Sequence, residues 1–144
     1  MNLSTAAKVT RVMNGVAAGT TDQNSTSVDM KGFDAVQFVA LFGTIDATAV
    51  TSVKAQGSSD NSTWSDLAST AVSVADDDDN QAVILDLNKP SQRYVRCVVD
   101  RGTANAVIDG VIALQYHATH EPVTHDSSTV AASETHLSPI AGTA

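Results

Sequence analysis

Aromatic side chains are scarce in this 144-residue chain, where three Phe, two Tyr and one Trp make up 4% of the residues. Ala, Val, Ile and Leu must therefore fill its core, and sugar recognition, which wants exposed aromatic platforms, has few to use. There is one cysteine, Cys97, so no intrachain disulfide forms. Within Val95-Arg96-Cys97-Val98-Val99 it reads as a small buried hydrophobe, not a nucleophile. Basic charge is short as well: 8 Lys and Arg stand against 16 Asp and Glu, for a net charge of −8. Nucleic-acid binders concentrate positive charge to neutralise phosphates, and here Arg93, Arg96 and Arg101 are the only local cluster. Direct contact with nucleic acid, or with an anionic membrane surface, is disfavoured. No apolar run approaches the ~20 residues of a membrane-spanning helix. Met1–Ala7 lacks the basic and apolar regions of a signal peptide, so synthesis in a cytoplasm-like compartment is expected, and the sequons at Asn2, Asn24 and Asn61 read as polar loops.

Catalytic patterns are missing too. The only glutamates are Glu121 and Glu134, both close to the C-terminal end, so no paired-carboxylate arrangement emerges. No serine sits in a G-x-S-x-G turn, and no Gly-rich phosphate loop is present. Asp76-Asp77-Asp78-Asp79-Asn80 offers clustered oxygens of the kind that suit Ca²⁺, but its spacing matches no EF-hand loop. A solvated turn is expected there. His117, His120, His125 and His136 have no cysteine or clear carboxylate partner that would complete a zinc set. The reading is a protein that is not an enzyme, with no catalytic, cofactor-binding or metal-ligating residues.

What the chain does have is short Val- and Ile-rich runs separated by Gly, Asn, Asp, Ser and Pro, the pattern of strands and turns. Lys8–Val16 is expected as a first strand ending at Ala17-Ala18-Gly19, and Ser27–Met30 as a short one. Asp34–Gly43 is the clearest. It has Val36, Phe38, Ala40 and Phe42 on one face and Ala35, Gln37, Val39 and Leu41 on the other, which places it mid-sheet and covered on both sides, one of them open to a second subunit. Val50–Gln56 alternates as a half-exposed strand. Ser58–Thr63 is a polar turn, with Trp64 expected to anchor the loop over the core and Trp64–Ser69 as one helical turn. Val72 and Val74 mark a short strand. Val83, Leu85 and Leu87 alternate within Gln81–Leu87, as do Val95, Cys97 and Val99 within Arg93–Asp100. In Ala106–Ala118, Ile108, Ile112, Leu114 and Tyr116 share a face with Gly110. The fold class is all-β: a single-domain antiparallel β-sandwich or jelly-roll-like barrel with extended arms.

The domain reading is an N-terminal arm at residues 1–7, a core at 8–118 and a C-terminal arm at 119–144. The last segment holds Pro122 and Pro139, many Ser and Thr, and isolated apolar residues. A segment that buries so little is mobile when alone, or it orders by crossing onto a neighbour's sheet edge. Both readings stand. The candidate partner contacts are His120, Pro122, Val123, Val130, Leu137, Pro139 and Ile140.

Several segments together resemble small structural proteins of tailed bacteriophages, encoded near the major capsid protein. They are Gly32-Phe33-Asp34-Ala35-Val36, Ser58 through Leu67, Val74 through Asn80, Arg93-Tyr94-Val95-Arg96, Arg101 through Gly110, and Glu121 through Asp126 followed by Ser138-Pro139. His117–His120 departs from the more basic patch of such proteins. The resemblance implies a capsid decoration, or cement, protein on the exterior of the virion, with the major capsid protein as partner and a homo-oligomer, preferably a trimer, as its state. A tail or head–tail joining component and a surface carbohydrate-binding module are the alternatives.

Overall fold

In the computed structural model, which describes residues 1–143, the alternating runs assemble into two antiparallel sheets. In chain order the elements are one helical turn, α1 (Leu3–Ala6), then β1 (Lys8–Met13), β2 (Val16–Gly19), β3 (Gln23–Asn24), β4 (Val28–Asp29), β5 (Phe33–Ile45), β6 (Val50–Ser58), β7 (Ser65–Asp66), β8 (Val72–Val74), β9 (Ala82–Asn88), β10 (Tyr94–Gly102) and β11 (Ala106–Ala118). The first sheet runs β1-β11-β5-β9, and β2 also pairs with β11. The second runs β3-β10-β6-β7, with β4 on β10 and β8 on β6. Two separate sheets make this a sandwich.

The core lies between the sheets. Val36, Phe38, Ala40 and Phe42 of β5 form one buried cluster with Val53 and Ala55 of β6 and Val95, Cys97 and Val99 of β10. Each such Val or Phe contributes about 1.5–3 kcal/mol relative to an exposed position. The strand β5 is central in its sheet, between β11 and β9, as the alternation predicts. Its second face is not covered along its whole length: Val39 is half-buried and Leu41 exposed.

Bulges alter the register expected from alternation. In β1 the pairing to β11 shifts between Arg11 and Met13, so the neighbours Val12 and Met13 are both buried. The single strand expected over Lys8–Val16 is interrupted at Asn14-Gly15, which separates β1 from β2. In β11, Ile108 opposes Phe42 and Gly110 opposes Leu41, which leaves Asp109 as the extra residue. Ile108 therefore points inward with Val111, Ala113 and Gln115 and leaves the face it shares with Ile112, Leu114 and Tyr116 in the sequence pattern. Gly110 makes this turn at φ +152°, and a Cβ there would stand 3.2 Å from the Met13 carbonyl oxygen. Only glycine accepts that backbone freely.

Residues 64–69 also depart from expectation, forming β7 and a turn instead of a helical turn. The Leu67 N–H donates to the Ala55 carbonyl (3.0 Å), and the Ala55 N–H donates to Thr70 Oγ1 (3.1 Å). These bonds hold the segment extended along β6.

Candidate interaction surface

The C-terminal segment first runs back along β1 and α1. The Val123 N–H donates to the Thr5 carbonyl (2.9 Å). His125 bridges two backbone groups: its Nδ1 accepts from the Val9 N–H (3.2 Å), while Nε2 lies 2.9 Å from the Ser4 carbonyl oxygen and donates to it. Asp126 then closes a turn, its carbonyl accepting from the Thr129 and Val130 N–H groups and its carboxylate from Ser128. Those Ser128 bonds hold the Asp126 carboxyl below the ordinary carboxylate range. Of the stretch set apart as an N-terminal arm, Met1 and Leu3 are exposed, while Ala6 and Ala7 are buried.

The seven candidate contact residues consequently divide into groups. Val123 and Val130 are half-buried against their own chain. His120 and Pro122 are exposed beside Phe33 and Lys8 around a shallow depression. Pro139 is exposed, and Leu137 and Ile140 are 95% and 91% exposed. The structure does not gather the seven into one patch.

The face of β5 that the sequence left open to a second subunit belongs to a wider surface, the outer face of the first sheet. Leu41 is 38% and Ile84 61% exposed there, beside half-buried Val39, Ile112 and Leu114. At one end α1 stands against the sheet and leaves a groove of about 490 Å³ between Met1 and Leu3 on one side and Leu114 and Tyr116 on the other, with Asp86 and Glu121 also lining it. The Tyr116 hydroxyl donates to Asp86 (2.6 Å), which fixes the ring and raises the phenol above its ordinary pKa. The available signal was the mostly apolar second face of β5; the bulge at Gly110 hid its continuation on β11.

The other sequence features are committed to structure. The three-arginine cluster comes apart. Arg93 forms a two-pronged pair with Asp29 (3.0 and 2.8 Å), which lowers the Asp29 pKa. Arg96 donates twice to Gln56 Oε1 and lies over the Trp64 ring at 4.4 Å. Arg101 is buried. Trp64 thus sits half-buried against Arg96 and outside the core cluster, where Leu67 packs in its stead. In the aspartate run, Asp76 accepts from the Thr48 N–H (2.6 Å), Asp78 from the Ala75 N–H (2.9 Å) and Asp79 from the Ile45 N–H (2.6 Å). Three carboxylates of the run therefore aim at three separate backbone donors. Among the described residues no three His, Cys, Asp or Glu side chains are placed to hold a metal ion, and no helix is long and apolar enough to cross a membrane.

A two-sheet body of this topology has a counterpart. Its fold is similar to that of the PBSX exported protein XepA. The crystal structure of XepA matches with a TM-score of 0.54 over 94% of this chain at 19% identity. The chain spans 45% of the length of XepA. At that identity the likeness speaks for the fold. No protein-family model matches the sequence, and no curated protein does.

Proposed function

We propose that the chain is a structural protein of a bacteriophage particle, and within that role a decoration protein. It binds the major capsid protein on the outer surface of the head and stabilises the expanded shell. One observation carries the reading: the sandwich leaves apolar side chains open on a sheet face (Leu41, Ile84) and on an extended terminal segment (Leu137, Ile140). Such exposed aliphatics are placed to be covered by other proteins. The reading is supported further by the shared fold with the PBSX exported protein XepA, and by the sequence resemblance to small virion proteins.

The test is to titrate the purified protein onto undecorated, expanded heads and image the product. Saturable density repeated over the capsid lattice is the expected result. Density at one vertex only would make it a joining component, and a lack of binding would remove the capsid from the account.

A further inference from the structure

The strand β1 stands at the end of the first sheet, paired with β11. Its Val9 N–H donates to Nδ1 of His125 (3.2 Å), where a further strand would have offered a carbonyl. The other ring nitrogen, Nε2, meets the Ser4 carbonyl of α1 (2.9 Å). One imidazole thus joins the C-terminal segment to both elements. Among the described residues, the other hydrogen bonds from 120–143 to the body are few. The Val123 N–H donates to the Thr5 carbonyl (2.9 Å), and the Thr135 hydroxyl meets that of Ser4 (2.9 Å). We propose that His125 is a pH-operated clasp, which holds the segment on β1 while Nδ1 accepts and releases it when Nδ1 takes a proton.

The chemistry of the ring gives the sign. Nδ1 accepts only through its lone pair, and in the imidazolium both nitrogens are donors. Protonation therefore sets an N–H against the Val9 N–H and leaves that amide without an acceptor. The Ser4 contact survives, because Nε2 donates in either state. The bond lost is the one to the sheet edge. The surroundings offer little to compensate. The turn α1 carries no ionisable side chain after the Met1 amino group. From β1 come Lys8 and Arg11, and Lys8 is near enough to Asp126 to help lower that carboxyl. Lys8 opposes an added proton on the ring, whereas Asp126, next in the chain, favours it. Glu134 and His136, on either side of Thr135, pair with each other (3.3 Å). Among the described residues no carboxylate is paired with the His125 ring. The remaining packing is slight, since Thr124, Ser127 and Ser128 are exposed and Val123, Thr129 and Val130 only half-buried. Once protonated, the chain presents a bare edge amide at Val9 and a terminal segment free to reach a neighbouring molecule.

The experiment follows the full chain by nuclear magnetic resonance across the range in which histidines change charge, about pH 8 to 5. The His125 ring protons report its own titration. The Val9 amide reports protection from exchange, corrected for the intrinsic pH dependence, and the amides of residues 124–130 report mobility. As His125 takes up its proton, Val9 protection should fall by about tenfold or more. Residues 124–130 should become mobile with the same midpoint, while Cys97 and Val99 in β10 stay protected. His125→Gln, whose amide accepts at one atom and donates at the other without titrating, should keep Val9 protected throughout. His125→Phe should lose that protection at every pH. Order at Val9 and 124–130 that persists through the titration of His125 overturns the proposal. So does a pH-dependent loss retained in His125→Gln, or a His125 ring that does not titrate in this range.

Discussion

Arg101 donates from Nη1 to the Ala106 carbonyl oxygen at 2.6 Å, across the turn that joins β10 to β11. The same nitrogen donates to the Ala17 carbonyl (2.9 Å) and Nε to the Thr21 carbonyl (2.8 Å). One guanidinium, 5% exposed, thus ties β2 and the loop after it to the start of β11. An arginine that the sequence offers as surface charge is an interior clamp.

Replacing that clamp should be costly. Arg101→Ala withdraws the guanidinium from the Ala17 and Ala106 carbonyls, while the Thr21 carbonyl keeps the Gln23 side-chain amide, and each buried orphan costs about 1–3 kcal/mol. A loss of about 3 kcal/mol or more is expected in urea unfolding. Arg101→Lys should recover only part of it, because a compact ammonium cannot reproduce the planar fork.

Trp64 is predicted to matter for stability and not for sugar binding. The Arg96–Trp64 stack is partly exposed, so a double-mutant cycle with Trp64→Ala and Arg96→Met should return a coupling of about 0.5–1 kcal/mol. A glycan array probed with the wild type should stay blank.

Cys97 is fully buried, and burial pushes its thiol up to about 12. The native protein should resist thiol-specific alkylation at pH 8 and react fully once denatured. Fast native labelling would show that β10 opens far more readily than its central position implies.

Acid should destabilise the fold from about pH 4 downward. Asp60 accepts from the Thr63 and Ser62 N–H groups and is held well below the ordinary carboxylate range. Asp29, Asp66 and Asp126 are lowered too, Asp29 by Arg93, Asp66 by Gln56 and Lys54, and Asp126 by Ser128. A carboxylate with a depressed folded pKa contributes stability that is complete above its unfolded value of about 3.9. That contribution fades as pH falls toward the folded value, because the unfolded chain takes up the proton first. Thermal melts should be flat from pH 7 to 5 on account of these groups and fall below 4. Asp60→Asn should shrink that acid-dependent drop.

Truncation should separate two parts of the C-terminal segment. Removing residues 131–144 leaves the bonds of Val123 and His125 in place, so hydrogen exchange at the Val9 amide should not change. Removing 120–144 strips the His125 acceptor from Val9 and should expose that amide to exchange, with the sandwich core still protected.

Much of the fold was legible in period-two alternation. Val95, Cys97 and Val99 of β10 and Val83, Leu85 and Leu87 of β9 turn inward as their spacing requires, because neighbouring side chains on a strand point to opposite faces. Alternation does not foresee a bulge. It grouped Ile108 with Ile112 and hid the apolar continuity of the outer sheet face. Asp76–Asp79 announced a turn but not the backbone donors of Thr48, Ala75 and Ile45, which come from other loops and strand ends or from the turn's own flank.

The chain's own order of residues determined a sheet-built body with aliphatic filling, a surplus of negative charge, and a terminal segment too polar to form a core. Those properties depend on residue type and near-neighbour spacing. Only the tertiary structure decided that Arg101 goes inside, that Trp64 pairs with Arg96, and that α1 stands against β11 to leave a groove. Each of these contacts joins residues whose meeting depends on how the strands pair and where a single extra residue shifts their register, and local pattern carries no record of that choice.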